Sequence, residues 1–175
     1  MAHIVTVNGK TPQIHPSAWI AETAVITGDV IIGPESSIWY GVVIRGDVNK
    51  IRIGKQVNIQ DLTMVHGTVG RGDTLLGDKV SVGHRAIVHG CQIDSNVLIG
   101  MGAIVLDDVH IPSNTIIAAG AVVTSGTHIE AGHIYAGTPA RIMKKLDASK
   151  AQIYIEGTAQ GYVGYKEYYR VDSVG

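Results

Sequence analysis

Three histidines, His66, His84 and His89, are the residues of this chain whose type and spacing point to chemistry. Neutral imidazole is the commonest side-chain metal ligand. Three imidazoles on a zinc ion leave a fourth tetrahedral position for water, whose pKa falls to about 7 there. Two residues five apart in an extended chain lie roughly 16 Å from each other and face opposite sides. Metal–nitrogen bonds are only about 2.0–2.1 Å long, so His84 and His89 of one chain do not converge on one ion. A shared site needs a ligand from a neighbouring chain.

The elements that must position these side chains follow from a period of six. Ile20, Ile26, Ile32, Ile38 and Ile44 recur every sixth residue, and after a three-residue insertion around 48–50 the series resumes at Ile53, Ile59 and Val65. Leu76, Val82 and Val88 follow a second interruption, and from Ile93 the series runs through Ile99, Val105, Ile111, Ile117, Val123 and Ile129. Six residues suit a short extended segment and a corner, and three such units make one triangular coil. The expected fold is mainly β, a parallel β-helix over 17–136 with stacked aliphatic rows inside. Each fully buried aliphatic side chain contributes roughly 1.5–3 kcal/mol. The sequence has 22 glycines and no phenylalanine, which fits a narrow prism with glycine at tight corners.

Residues 1–16 read as an N-terminal cap containing an Asn8-Gly9 turn. The segment 147–170 reads as a C-terminal helix with Asp147 as N-cap and Ile153, Ile155, Tyr162, Val163 and Tyr169 as an apolar stripe. Gly157, Gly161 and Gly164 each cost it about 1 kcal/mol relative to alanine, so this helix needs packing against the prism. All 175 residues are expected to form one domain. A formal net charge of −1 gives no reason to expect nucleic acid or an anionic membrane as partner. Cys91 is the single cysteine, so no intrachain disulfide framework exists. No apolar run reaches the length of about 18 residues needed to cross a bilayer, and the first ten residues lack a signal-peptide core. A cytoplasmic protein is expected.

The stretch from Arg45 to Val105 resembles the γ-class carbonic anhydrases and their hexapeptide-repeat relatives, among them proteins labelled ferripyochelin-binding or carnitine-operon-associated. The residues that carry the resemblance are Arg45-Gly46-Asp47, Asn58-Ile59-Gln60-Asp61, His66, Val82-Gly83-His84, Val88-His89-Gly90-Cys91 and Ile99-Gly100-Met101-Gly102. The resemblance implies a left-handed parallel β-helix and a homotrimer with metal at the subunit interfaces, His66 and His89 coming from one chain and His84 from the next. It implies zinc, with ferrous iron or cobalt as alternatives, and hydration of carbon dioxide to bicarbonate by metal-bound hydroxide. By the same resemblance Gln60 orients the hydroxide, with Asn58 as a weaker candidate. Arg45 and Asp47 form a supporting pair that bridges subunits, Asp61 acts beside them, and Tyr162 of the C-terminal helix approaches the site.

One departure matters. Some members carry an acidic loop that takes protons from the site, whereas residues 67–75 hold only Asp73 as an acid. General acid–base help is typically worth about 10²–10⁴-fold, so slow hydration is expected. Two further readings stay open: a hexapeptide-repeat acyltransferase or thioesterase acting on coenzyme A thioesters, and a non-catalytic metal-binding trimer. His110, His128 and His133 read as exposed, and Cys91 as a small buried filler.

Overall fold

The computed structural model describes residues 2–171. The period of six becomes a parallel β-solenoid whose coils each place one strand on each of three faces. On the first face Ile4, Ile26, Ile44, Val65, Val88, Val105 and Val123 stack in register. Ile14, Ile32, Ile53, Leu76, Ile93 and Ile111 form the row of the second. The third row runs Ile20, Ile38, Ile59, Val82, Ile99, Ile117 and Tyr135. From Ile26 onward these rows meet in one buried core, with Ile14 and Ile20 partly buried at its edge and Ile4 exposed at the end of the stack, because alternation along each short strand turns every second side chain inward.

Coil length varies only in the middle of the stack. Along the third row the step is 18 residues from Ile20 to Ile38, 21 to Ile59, 23 to Val82 and 17 to Ile99, and it returns to 18 at Ile117. The extra residues fall at 46–50 and 67–73, and the missing one falls between Val88 and Ile93. These are the coils that carry the three histidines.

Glycine takes many of the tight turns, as at Gly41, Gly102, Gly120, Gly126 and Gly132, but shares them with other residues. Gln56, Lys79, Asn96 and Asn114 occupy one column of turns with φ of 56°, 56°, 59° and 57°. Their backbone N–H groups donate to carbonyls one coil away, as in Asn114 to Asn96 at 2.9 Å. The repeated inter-coil bond offsets the cost of the left-handed conformation.

At the N-terminal end, His3–Val5 and Gln13–Ile14 both pair in parallel with Val25–Ile32, and Asn8 and Gly9 turn with positive φ between Val7 and Lys10. At the other end Arg141–Lys145 returns antiparallel against His133–Ala136. Asp147 then caps the C-terminal helix by accepting the Lys150 N–H at 2.9 Å. The helix runs Ala148–Ala151, passes through a π-helical turn Gln152–Glu156 and continues as Gly157–Val171. That π turn shifts the helical phase. Ile155 is buried against Ile116 and Leu146, while Ile153, assigned to the same stripe, is 65% exposed.

The helix lies on the third face and is fastened there by charge as well as by apolar contact. Lys166 is fully buried, and its ammonium donates to Glu35 at 2.7 Å and Glu167 at 2.9 Å. Arg170 donates to the carbonyls of Ser17 and Ala18. Tyr162 and Tyr169 pack edge-on against Trp39, with ring centroids 5.2 and 5.3 Å away. No helix among the described residues is long and apolar enough to cross a membrane.

Candidate metal centre

Met64–His66 and Ile87–His89 are neighbouring strands of the first face, in a register that puts His89 directly over His66. Both histidines close their strands, with side chains outside the core. His66 Nδ1 and His89 Nε2 face each other at 3.3 Å. Two ligands on a tetrahedral ion with 2.0–2.1 Å bonds stand about 3.3–3.4 Å apart. The spacing fits a shared cation.

Carboxylates set the tautomers. Asp47 Oδ1 lies 3.0 Å from His66 Nε2, and Asp107 Oδ2 lies 3.1 Å from His89 Nδ1. An ionised carboxylate only accepts, so those two ring nitrogens carry the protons. With both rings neutral, the nitrogens left facing each other hold lone pairs, an arrangement that wants a positive charge between or beside them. In the chain alone Arg45 supplies one, with its guanidinium 3.3 Å from His66 Nδ1 and 2.6 Å from Asp47.

The protonation states agree. Burial keeps His66 below the usual histidine range, the Arg45 and His89 charges adding to it against the opposing pull of Asp47. Burial pulls the Asp47 carboxyl upward, but hydrogen bonds from Arg45, its own backbone and His66 outweigh this and hold it low. Asp107 follows the same pattern, burial being outweighed by the hydrogen bond and charge of His89 and by Thr68 and Arg71.

His84 lies elsewhere, at the turn between Ser81–Val82 on the third face and Ile87–His89 on the first. Its Nδ1 is 2.8 Å from Asp61 Oδ2 and its side chain is 40% exposed, so Nδ1 donates to that carboxylate. Gln60 and Asn58 precede this corner one coil below and are buried. Gln60 Nε2 donates to Asn58 at 2.9 Å, and Asn58 Nδ2 donates to Ser81 at 2.7 Å, so both amides have fixed orientations. The Tyr162 hydroxyl is pushed up to about 12, by burial first and then by the charge of Asp61 and the neighbouring Tyr165 and Tyr169. It stays protonated at neutral pH.

The candidate residues therefore fall into two groups on different edges of the prism. Arg45, Asp47, His66 and His89 form one, and Asn58, Gln60, Asp61 and His84 form the other with Tyr162 beside Asp61. Among the described residues no three His, Cys, Asp or Glu side chains of one chain are grouped so as to hold a metal ion. A carboxylate on a histidine is not by itself diagnostic, since Asp94 pairs with the exposed His110 at 3.0 Å. His110 and His128 stack across one bridge and are exposed, whereas His133 is half-buried and hydrogen-bonded to the Ala131 carbonyl.

Sequence reading missed Asp107, Thr68 and Asn49. Asn49 Nδ2 reaches the carbonyls of Thr68, Arg71 and Gly72 at 2.6, 3.2 and 3.1 Å, and Arg71 reaches Asp108 at 2.8 Å. The signal for them is the irregular coil length, which marks where the chain leaves its repeat.

A carbonic anhydrase of Geobacillus kaustophilus is 48% identical to this chain over 162 residues, covering 93% of the chain and 88% of that protein. The mitochondrial γ carbonic anhydrase 2 of Arabidopsis thaliana is 39% identical over 167 residues, covering 91% of the chain. The chain belongs to the γ-class carbonic anhydrase family. It spans 59% of the length of that plant family member. The family model for the bacterial transferase hexapeptide (six repeats) matches residues 11–46 and 90–125, the regular coils on either side of the site. A crystal structure of a hexapeptide transferase family protein from Anaplasma phagocytophilum superposes with a TM-score of 0.91 at 38% identity, covering 95% of this chain and 98% of that one.

Proposed function

We propose that the chain assembles as a homotrimer, that His66 and His89 hold a divalent metal ion together with His84 of the partner subunit, and that the site interconverts carbon dioxide and bicarbonate. The observation that carries this reading is the approach of His66 Nδ1 and His89 Nε2 to 3.3 Å, each ring having a carboxylate on its other nitrogen. A cyclic head-to-tail contact brings one edge of a prism against a different edge of its neighbour, which is what two separated groups on one chain require. Leu62 and Met101, at corners beside the His84 group, are 64% and 61% exposed, an apolar surface suited to burial in such a contact.

Zinc bound there supplies a Lewis acid strong enough to bring the pKa of water down to about 7; ferrous iron and cobalt suit the same donors. The chain's own residues do the rest. Asp47, Asp107 and Asp61 fix the rings of His66, His89 and His84 in the tautomers that leave a lone pair free. In the assembly Arg45 turns from His66 Nδ1 to a carboxylate across the interface and so releases that nitrogen. Gln60, with its Nε2 committed to Asn58, presents its carbonyl oxygen in a fixed direction to orient the reacting water. Hydration of carbon dioxide to bicarbonate releases one proton. The 67–75 segment offers a single acid, Asp73, which accepts the Lys50 backbone N–H at 3.1 Å. Turnover limited by proton removal follows.

The test is metal content and carbon dioxide hydration of the purified protein, with His89→Ala beside it. Metal-loaded protein that hydrates no faster than buffer, with His89→Ala unchanged in metal content, rules the reading out. The transferase likeness supports a second reading, transfer or cleavage of coenzyme A thioesters at the same interface. Heat evolved on titration with coenzyme A would favour it.

A further inference from the structure

We propose that Asp107 is a positioning residue for His89 and that the 67–73 segment, through Thr68, is the strap that holds Asp107 in place. This rests on the metal-site reading above. Asp107 lies one coil beyond His89 and is gripped from two directions. Its Oδ2 accepts from His89 Nδ1 at 3.1 Å and from Thr68 Oγ1 at 3.2 Å, residues 18 and 39 positions away in the chain.

The grip needs the shortened coil. Gly90 sits at φ +56°, and a β-carbon there would overlap Asp107 Oδ1. The backbone at Gly90 has little room to retreat, because its N–H is shared between the His66 carbonyl at 3.0 Å and Thr74 Oγ1 at 3.1 Å. A six-residue unit between Val88 and Ile93 would carry one more residue through this space. The missing residue and the glycine together open the slot into which the carboxylate reaches.

Thr68 is in turn fixed by the Asn49 amide, which donates to three carbonyls of the strap, and by Arg71, which ties the strap to Asp108. The second carboxylate oxygen, Asp107 Oδ1, is buried with no hydrogen-bond partner among the described residues. A buried carboxylate ordinarily has partners on both oxygens. This one is aligned by Oδ2, on the ring it orients. The segment that lacks proton-carrying acids therefore has a different role, setting the tautomer and the aim of a metal ligand.

The experiment combines two readouts on the trimer, the His89 tautomer from long-range nitrogen–proton NMR of the metal-free protein and zinc affinity by competition with a chromophoric chelator. The wild type is expected to carry its His89 proton on Nδ1. Asp107→Ala should move that proton toward Nε2 and weaken zinc binding by about 10–100-fold. Asp107→Asn, which keeps an oxygen acceptor, should recover most of both. Thr68→Val, which leaves the carboxylate in place, should give a smaller loss in the same direction and stands in should Asp107→Ala fail to fold. An unchanged tautomer in Asp107→Ala or Thr68→Val, with zinc affinity within twofold of wild type, overturns the proposal. A wild type that binds no zinc overturns the metal-site reading instead, and the metal-free tautomer still decides the role of Asp107.

Discussion

His66 Nδ1 and His89 Nε2 stand 3.3 Å apart, one coil above the other, with a carboxylate on the far nitrogen of each ring. In the proposed trimer each chain would supply two imidazoles to a site on one edge and the third imidazole to a neighbouring site on another. Variants that damage different edges should therefore complement. His84→Ala and His89→Ala trimers are each expected to lose tight metal binding. Unfolded together and reassembled at equal ratio, they should regain about one quarter of the wild-type sites, the share in which both intact edges meet in a head-to-tail ring. Metal content after dialysis is the measurement, and no recovery would place all ligands in one chain.

The Lys166–Glu35 contact should give the fold an acid limit. Hydrogen bonds from Lys166 and Ser17, helped by the Lys166 and Arg170 charges, hold the Glu35 carboxyl below its ordinary value against a small opposing effect of burial. A depressed folded pKa contributes stability that is present above the unfolded value, about 4.3, and is lost as pH falls through the folded value. Glu35→Gln should flatten that part of the pH–stability curve. At pH 7 it should cost less than the roughly 1.5–3 kcal/mol of a hydrogen bond to a charged group, because the Glu35 side chain is 40% exposed to screening solvent and Lys166 keeps Glu167. Urea unfolding at pH 7 and pH 3.5 reads both effects.

Tyr162, with its hydroxyl pushed up to about 12, is a hydrogen-bond donor and not a base near neutrality. Tyr162→Phe should lower carbon dioxide hydration by less than about tenfold and leave the pH–rate profile in place, the effect of losing one hydrogen bond. Tyr162→Ala should also lower the melting temperature, because it empties the edge-on contact with Trp39. A pH–rate limb that disappears in Tyr162→Phe would show the phenol titrating during turnover.

Cys91 is 1% exposed, and burial pushes its thiol up to about 12, with the Asp107 charge assisting against a backbone hydrogen bond at His89. Thiolate is the reactive form. The native protein at pH 8 should resist thiol reagents for hours and react at once in denaturant, a contrast that absorbance of a released chromophore measures.

The inward residues are readable because a period of six fixes which side chains face the axis: the series from Ile20 to Val123 falls in the three rows, and Ile129 joins the same core. Three kinds of feature are not. Cross-coil pairs such as Asp107 with His89 join residues separated by a coil whose length is itself irregular, so no fixed offset predicts them. The π turn at Gln152–Glu156 breaks the period on which the helical stripe rests, which is why Ile153 faces outward against the periodic expectation. Lys166 is invisible for the opposite reason: lysine is expected in water, and its burial depends on Glu35 and Ser17 arriving from the far end of the chain to join the adjacent Glu167. The three histidines stand out through their motifs, while their division between two edges needs the register of His89 over His66.

The bonds from Lys166 to Glu35 and from Arg170 to Ser17 join positions 131 and 153 residues apart. A solenoid can stack coil on coil as it leaves the ribosome, each new coil needing only the one before it. The first coils nevertheless wait for the last helix. At about 5–20 residues per second the delay between Glu35 and Lys166 is roughly 7–26 s. Throughout that interval Trp19 and Trp39 are without their cover on a partly built prism, and the nascent chain is most open to chaperones and to misassociation.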